Sequence, residues 1–302
     1  MALFMLLGGI WMNLIQNFEQ WLFEEGRAPK TIESYTADIK GFQCYLEERA
    51  ENDTVPLSRF SFVRYKQHLV DKQFAISTIN KKVNSLKVYN DFLKQKGLVD
   101  SSYIQLKRDK IKIAEGSEHV VTALSDDEVE KLLFYVENNE KVSQRNKLIV
   151  YLLLYTGVRV SELIDIKLAN IDLLASSLMI KGKGGKVREI PIRQDVCQLI
   201  KLYQKGERTQ SRFHESTYLL VSQRAAKLHR DGVRDWLEKI SKELGYKLHP
   251  HLFRHTFCTM LLKRGVDLTT VSKLAGHSTI NMTAKFYIQT TRAEKQQAVE
   301  LL

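Results

Sequence analysis

Apolar residues return every three or four positions through roughly the first hundred residues, the spacing of one helix face. Leu14, Ile15, Phe18, Trp21 and Leu22 trace a first helix, with Gly26 as its stop. Pro29 opens a second, whose apolar face is Ile32, Tyr35, Ile39, Phe42, Tyr45 and Leu46. Phe62, Tyr65 and Leu69 give a third. Ile79, Val83, Leu86, Tyr89, Phe92 and Leu93 give a fourth, ended by Gly97. Four helices with short connections predict a small helical domain over residues 13–104. Residues 105–122 lose the period and read as an interdomain linker. Ser125, with Glu128 three residues on, has the form of a capping box opening the next helix. Helices are expected near 126–138 and 144–155. Residues 178–180 and 187–192 then read as a β-hairpin around a Gly- and Lys-rich tip, followed by helices near 194–205, 230–244, 252–264 and 267–275. The expected fold is mostly α with a small antiparallel β-sheet, in two domains: a helical one and an α+β one over 123–302.

Residues 1–12 carry no charge and are mostly apolar. They are shorter than the ~20 residues a bilayer span needs and lack a basic start and a cleavage site. They read as a helix extension, or as an upstream start ahead of Met5 or Met12, and no membrane attachment is expected. Composition adds class. At 302 residues, with 44% hydrophobic and 27% charged, the chain is neither disordered nor collagen-like, and it suits two domains. Cys44, Cys197 and Cys258 stand far apart, which argues against a disulfide framework and fits a reducing, cytoplasmic setting. The net charge is +11, and residues 123–302 hold +9 of it. A basic excess concentrated in one domain suggests a polyanionic partner, although solvated surfaces are often basic.

Several short segments could carry chemistry. Thr156-Gly157-Val158-Arg159-Val160-Ser161-Glu162-Leu163 sets Arg159 after a glycine break, with Glu162 at i+3 on the same helix face. A carboxylate there could hold the guanidinium in one orientation, although spacing alone favours an ordinary surface ion pair. In His249-Pro250-His251-Leu252-Phe253-Arg254-His255, Pro250 suits a helix start, so His251, Arg254 and His255 share one face. Two readings stay open there. His251 and His255 at i, i+4 suit a metal, but the zinc-protease pattern needs Glu where Leu252 stands. Alternatively His251 and Arg254 grip an anion, since a guanidinium fork matches phosphate. Leu274-Ala275-Gly276-His277 places a histidine past a helix end, and Tyr287, ten residues on, is the only tyrosine after Tyr246. The tip Lys181-Gly182-Lys183-Gly184-Gly185-Lys186 is no nucleotide-binding loop, because Val187 stands where Ser or Thr would be required.

In this order the segments resemble the tyrosine recombinases, or phage integrases, and within them the Xer-like and transposon-encoded enzymes. The resemblance spans nearly the whole chain. It implies a core-binding DNA domain over 13–104 and a catalytic domain whose residues are Arg159, Lys183, His251, Arg254, His277 and Tyr287. The interval from His277 to Tyr287 is one residue longer than the usual Xer spacing, and Ala275 stands where leucine is common. The implied activity is site-specific recombination. Tyr287 would attack a phosphodiester, giving a 3′-phosphotyrosine, with Arg159 and Arg254 on the non-bridging oxygens. His251 would act as base and then acid, Lys183 would protonate the leaving 5′ oxygen, and His277 would donate to the phosphate. Because the phosphotyrosine conserves the bond energy, neither metal nor ATP is needed. The implied partner is double-stranded DNA carrying a recombination site, bound by a homotetramer across two duplexes, with any accessory proteins unspecified. Lys107, Arg108, Lys110 and Lys112 of the linker, and Lys186 of the hairpin, are candidate DNA contacts. The start of the helices near residue 13 favours a simple Xer-like or transposon-encoded enzyme over an integrase with a further arm-binding domain. A type IB topoisomerase shares the chemistry and is the alternative. An inactive architectural DNA binder and a metal-dependent nuclease are more distant.

Overall fold

A computed structural model describes residues 2–49, 56–112, 122–182, 185–277, 279–287 and 300, with side chains from residue 13 onward and, in the last helix, as far as Ala284. The chain divides into two units, residues 1–118 and 119–302.

The first unit is built on helices α1 (Ala2–Glu24), α2 (Pro29–Glu48), α3 (Arg59–Asp71) and α4 (Ile76–Gln95). The stripes read from the sequence are its core: Phe18, Leu22, Ile39, Phe42, Phe62, Phe92 and Leu93 are fully buried. Phe18 meets Tyr89 edge to face at 5.1 Å, and the Trp21 indole donates to Gln95 at 2.8 Å. The Asp38 carboxylate lies inside. Asp38 accepts from Lys81 at 2.8 Å, Lys82 at 3.2 Å and Ser85 at 2.7 Å, which supplies the partners a buried carboxylate requires.

The expected linker begins as part of this unit. Residues Leu106–Asp109 form a short helix, α5. Asp109 is buried and takes both arms of the Arg59 guanidinium, at 2.8 and 2.7 Å. Burial works against its charge, but Arg59, the Gln105 amide and Arg108 together hold its pKa down to about 2. Lys66 donates to the Asp109 carbonyl at 2.9 Å, and Asn80 exchanges two hydrogen bonds with the Ile111 backbone. Residues 105–112 are therefore fastened to α3 and α4; residues 113–121 lie outside the described residues.

The second unit opens with α6 (Asp126–Asn138), capped by the Ser125–Glu128 box that the sequence announces. Next, α7 (Gln144–Thr156) has an unbroken buried run from Leu148 to Leu154. A helix apolar all round must be enclosed, and α7 packs against α9 (Gln194–Lys205) and α11 (Pro250–Lys263). Between them come α8 (Val160–Ile164) and an antiparallel sheet of β1 (Ile171–Asp172), β2 (Ser177–Lys181) and β3 (Val187–Pro191), in that order. The expected hairpin is β2–β3, paired from Ser177–Pro191 to Lys181–Val187. Its inner face is Leu178, Ile180 and Ile190. Strand β1 has no alternation to read, because Asp172 turns the chain at once by accepting the amides of Leu174 and Ala175. The segment after α9 is irregular and is pinned by buried Arg208, which donates to the carbonyls of His214, Ser216, Tyr218 and Leu219. Helices α10 (Arg230–Leu244), α11, α12 (Leu268–Ala275) and α13 (Ile280–Tyr287) complete the unit. The last two pack on each other and on α11.

Candidate active site

Two glycine turns build the site. Gly157 ends α7 in the left-handed region, at φ 60°. A Cβ there would stand 2.3 Å from the Phe257 ring, so only glycine lets α7 and α11 approach this closely. Its carbonyl accepts from Arg254 Nη1 at 2.7 Å. Two residues on, Arg159 is the N-cap of α8. Gly276 ends α12 in the same conformation, at φ 65°, and its carbonyl accepts from Arg159 Nη2 at 3.1 Å. Each turn thus offers its carbonyl to an arginine from another part of the chain.

Glu162 is no surface partner. It is buried, at 6% exposure, and both its oxygens are doubly engaged. Oε1 accepts from Arg159 Nη1 at 2.9 Å and Arg188 Nη1 at 3.0 Å; Oε2 accepts from the Arg159 amide at 2.8 Å and Arg188 Nη2 at 2.9 Å. Burial opposes the charge, yet the two arginines keep its pKa below the usual carboxylate value. The expectation of an exposed i, i+3 pair fails because α8 is a single short helix enclosed by α7 and α10.

Arg254 is buried, at 4% exposure. Burial first, and then the charge of Arg159, push its pKa down to about 10, so it stays cationic at neutral pH. Its Nη2 is buried without a hydrogen-bond partner among the described residues. A buried, charged donor left over in this way is costly unless it faces an anion.

His249 caps α11, its Nδ1 accepting from the Leu252 amide at 3.2 Å, and Pro250 follows at the first helical position. That cap places His251 on the exposed side of the first turn and Arg254 on the buried side. The pKa of His251 is lowered by burial, then by Arg254, Arg159 and Arg234. His255, half-buried, is lowered by burial too. His277 Nδ1 lies 2.7 Å from the hydroxyl of buried Thr283, and burial, Arg254 and Arg159 push its pKa down to about 4. Both His251 and His277 are therefore neutral at pH 7.

Arg159, His251, Arg254 and His277 come together, close enough to bias one another's charge. Lys183 lies outside the described residues. Tyr287 is the last residue of α13, on the segment that follows His277, and its side chain lies outside the described residues. Lys186 is exposed in the hairpin tip, its carbonyl accepting from Gly182 at 2.7 Å. Lys107, Arg108 and Lys112 are exposed and Lys110 half-buried, all in the first unit. Among the described residues no cluster of three His, Cys, Asp or Glu side chains could hold a metal ion. Sequence reading missed Arg188 and Thr283. The signal for Arg188 is its strand position: it alternates with Ile190 onto the inner face of β3, where a lone arginine needs a partner.

The profile of the phage integrase family matches residues 122–294, and that of the phage integrase N-terminal SAM-like domain matches residues 15–97. A TnP I resolvase of Bacillus thuringiensis is 32% identical over 293 residues, covering 96% of this chain and 100% of its own. Tyrosine recombinase XerA of Thermococcus kodakarensis is 32% identical over 292 residues, covering 95% and 94%. Among solved structures, XerH recombinase bound to a palindromic difH substrate after cleavage shares the fold at a TM-score of 0.76 and 20% identity, over 92% of this chain and 82% of that one. The Tn1549 transposon integrase with circular intermediate DNA does so at 0.73 and 19%, over 95% and 98%. Matched by family profiles in both units and by recombinases along nearly its whole length, the chain belongs to the phage integrase family of tyrosine recombinases.

Proposed function

We propose that the protein cuts and rejoins double-stranded DNA at a specific site through Tyr287, without metal or ATP, in the cytoplasm. The observation that carries the reading is the pair Arg159 and Arg254. Their guanidiniums are held by the carbonyls of Gly276 and Gly157, Glu162 neutralises less charge than the cluster brings, and Arg254 Nη2 is left over as a buried donor. Such a preformed cationic cradle matches a phosphodiester and stabilises the further charge of its pentacoordinate transition state.

The other roles follow from chemistry. A phenol has a pKa of ~10 and needs help to ionise. His251, exposed and neutral at pH 7, can take the Tyr287 proton during cleavage and return it to the Tyr287 oxygen during religation, as the 5′ hydroxyl attacks and gives up its own proton. His277, also neutral, donates to the phosphate once DNA is bound. Lys183, which follows Gly182 in the sequence, supplies the proton to the departing 5′ oxygen. The bond to Tyr287 replaces the bond to that oxygen, so no energy source is required.

The test is covalent trapping. Full-length protein is incubated with nicked duplexes drawn from DNA flanking its own gene, and adducts are resolved on denaturing gels. A protein–DNA adduct with wild type, and none with Tyr287→Phe despite near-normal binding, is expected. An adduct that survives in Tyr287→Phe refutes the assignment. Relaxation of plasmid DNA lacking any site, with no exchange between duplexes, favours topoisomerase action instead.

A further inference from the structure

We propose that Arg188 is a positioning residue for DNA cleavage: through Glu162 it aims Arg159, and through α12 it fixes the end that carries His277. The proposal rests on the reading of the site given above.

Glu162 is shared between Arg159 and Arg188, at 2.9–3.0 Å from three guanidinium nitrogens. Without Arg188 the carboxylate would have one cation to itself. It would neutralise Arg159 and draw that guanidinium inward, away from an incoming phosphate. With Arg188 present, the trio keeps one net positive charge, and Arg159 adds it to that of Arg254.

Arg188 also ties separate elements together. Arg188 Nε donates to the Leu274 carbonyl at 3.0 Å, in the last turn of α12. Its guanidinium lies so close to Gly276 that a Cβ there would meet Nη1 at 2.8 Å and Cζ at 2.9 Å. A Cβ on Gly182, where the hairpin tip begins, would stand 3.6 Å from Glu162 Oε1 and 3.7 Å from Arg188 Nη1. One planar group therefore gathers the start of α8, the end of α12 and the root of the β2–β3 tip. A lysine offers a point charge and cannot span both carboxylate oxygens and a carbonyl with fixed angles.

The experiment uses the full chain with Arg188→Met, Arg188→Lys, Glu162→Gln and the Arg188→Met/Glu162→Gln double variant. Without DNA, side-chain NMR follows the Nε–Hε groups of Arg159 and of Arg208, which sits in the same unit and serves as the internal control. Arg188→Met is expected to mobilise Arg159 and leave Arg208 ordered, with Arg188→Lys in between. On a duplex that traps wild type, Arg188→Met should bind within about twofold of wild type but cleave about a hundredfold more slowly in single turnover, the scale of a slightly misplaced catalytic group. Arg188→Lys should recover part of the rate, and the double variant should be no slower than the worse single one. An unmoved Arg159, an unchanged cleavage rate, or additive losses in the double variant overturns the proposal. Wild type that forms no adduct on any duplex refutes the recombinase reading instead, and the Arg159 dynamics still decide whether Arg188 positions it.

Discussion

His277 shows how far one side chain departs from its free behaviour. Burial and the neighbouring arginines lower its pKa from 6.5 to about 4, and His249, His251 and His255 shift in the same direction. A base whose folded pKa is depressed takes up its proton in the unfolded chain first. Between pH 6.5 and about 4 the unfolded state binds more protons, so stability falls as the pH falls through that window and is fully present above it. Urea midpoints should therefore drop between pH 7.5 and pH 5, and the drop should be smaller in His277→Gln; an equal drop would remove His277 from the account. The same shifts leave His251 unprotonated at neutral pH, so cleavage should weaken on the acid side of the window. Arg159, Arg254 and His277 were legible because each sits near a glycine or proline that marks a turn. The environment that perturbs them was not, because it is assembled from residues about a hundred positions apart, as Arg254 and Gly157 are. The burial of Glu162 illustrates the point: sequence spacing gives the pair with Arg159, while the second partner, Arg188, arrives from a strand.

Elements were readable where period and punctuation agree. The bounds expected for α6, α9 and α10 coincide with those observed, each having an apolar stripe and a marked end. Strand β1 and helix α13 were missed, the first because it is two residues long, the second because it is a short continuation after the Gly276 turn. The junction between α7 and α11 carries a sharp prediction. Gly157→Ala combines a positive φ with a Cβ 2.3 Å from Phe257, whose ring is itself buried. It should lower stability by about 2–4 kcal/mol in a denaturant titration. Gly185→Ala, also at positive φ but with open space around it, should cost only about 1 kcal/mol. Similar costs at the two positions would mean that backbone strain alone matters and that the close approach of Phe257 does not. At α5 the basic residues divide by their partners. Arg108 already reaches Asp109 at 3.3 Å, whereas the Lys107 and Lys112 side chains are exposed. Replacing Lys107, Lys110 and Lys112 by Gln should reduce the slope of log affinity against log salt by about 0.9 for each phosphate left without its lysine. Arg108→Gln should reduce it less. A slope unchanged in the triple variant would make this segment a solvated connector.

The whole molecule places most of its excess charge in the unit that holds the arginine cradle, +9 of +11, and only +1 in residues 1–104. On the proposed reading, steering toward DNA and chemistry on it reside in the same unit. Strand exchange, as proposed, requires more than one copy. Two duplexes, each cut at two positions, consume four tyrosines, hence four protomers. Residues after Tyr287 offer a means of linking them. Ala298, Val299, Leu301 and Leu302 form an apolar cluster on a segment that lies outside the described residues, except for Glu300. If this segment docks into a neighbouring copy, assembly also sets the position of Tyr287, because α13 leads directly into it. An isolated protomer would then bind a half-site without breaking it, which would protect the chromosome from stray cuts. Deleting residues 293–302 should leave half-site affinity within about twofold while weakening cooperative binding to full sites and abolishing recombination, as gel shifts and native mass spectrometry would report. A truncated protein that assembles and recombines like the full chain would place the cluster on its own unit and require a different source for the coupling.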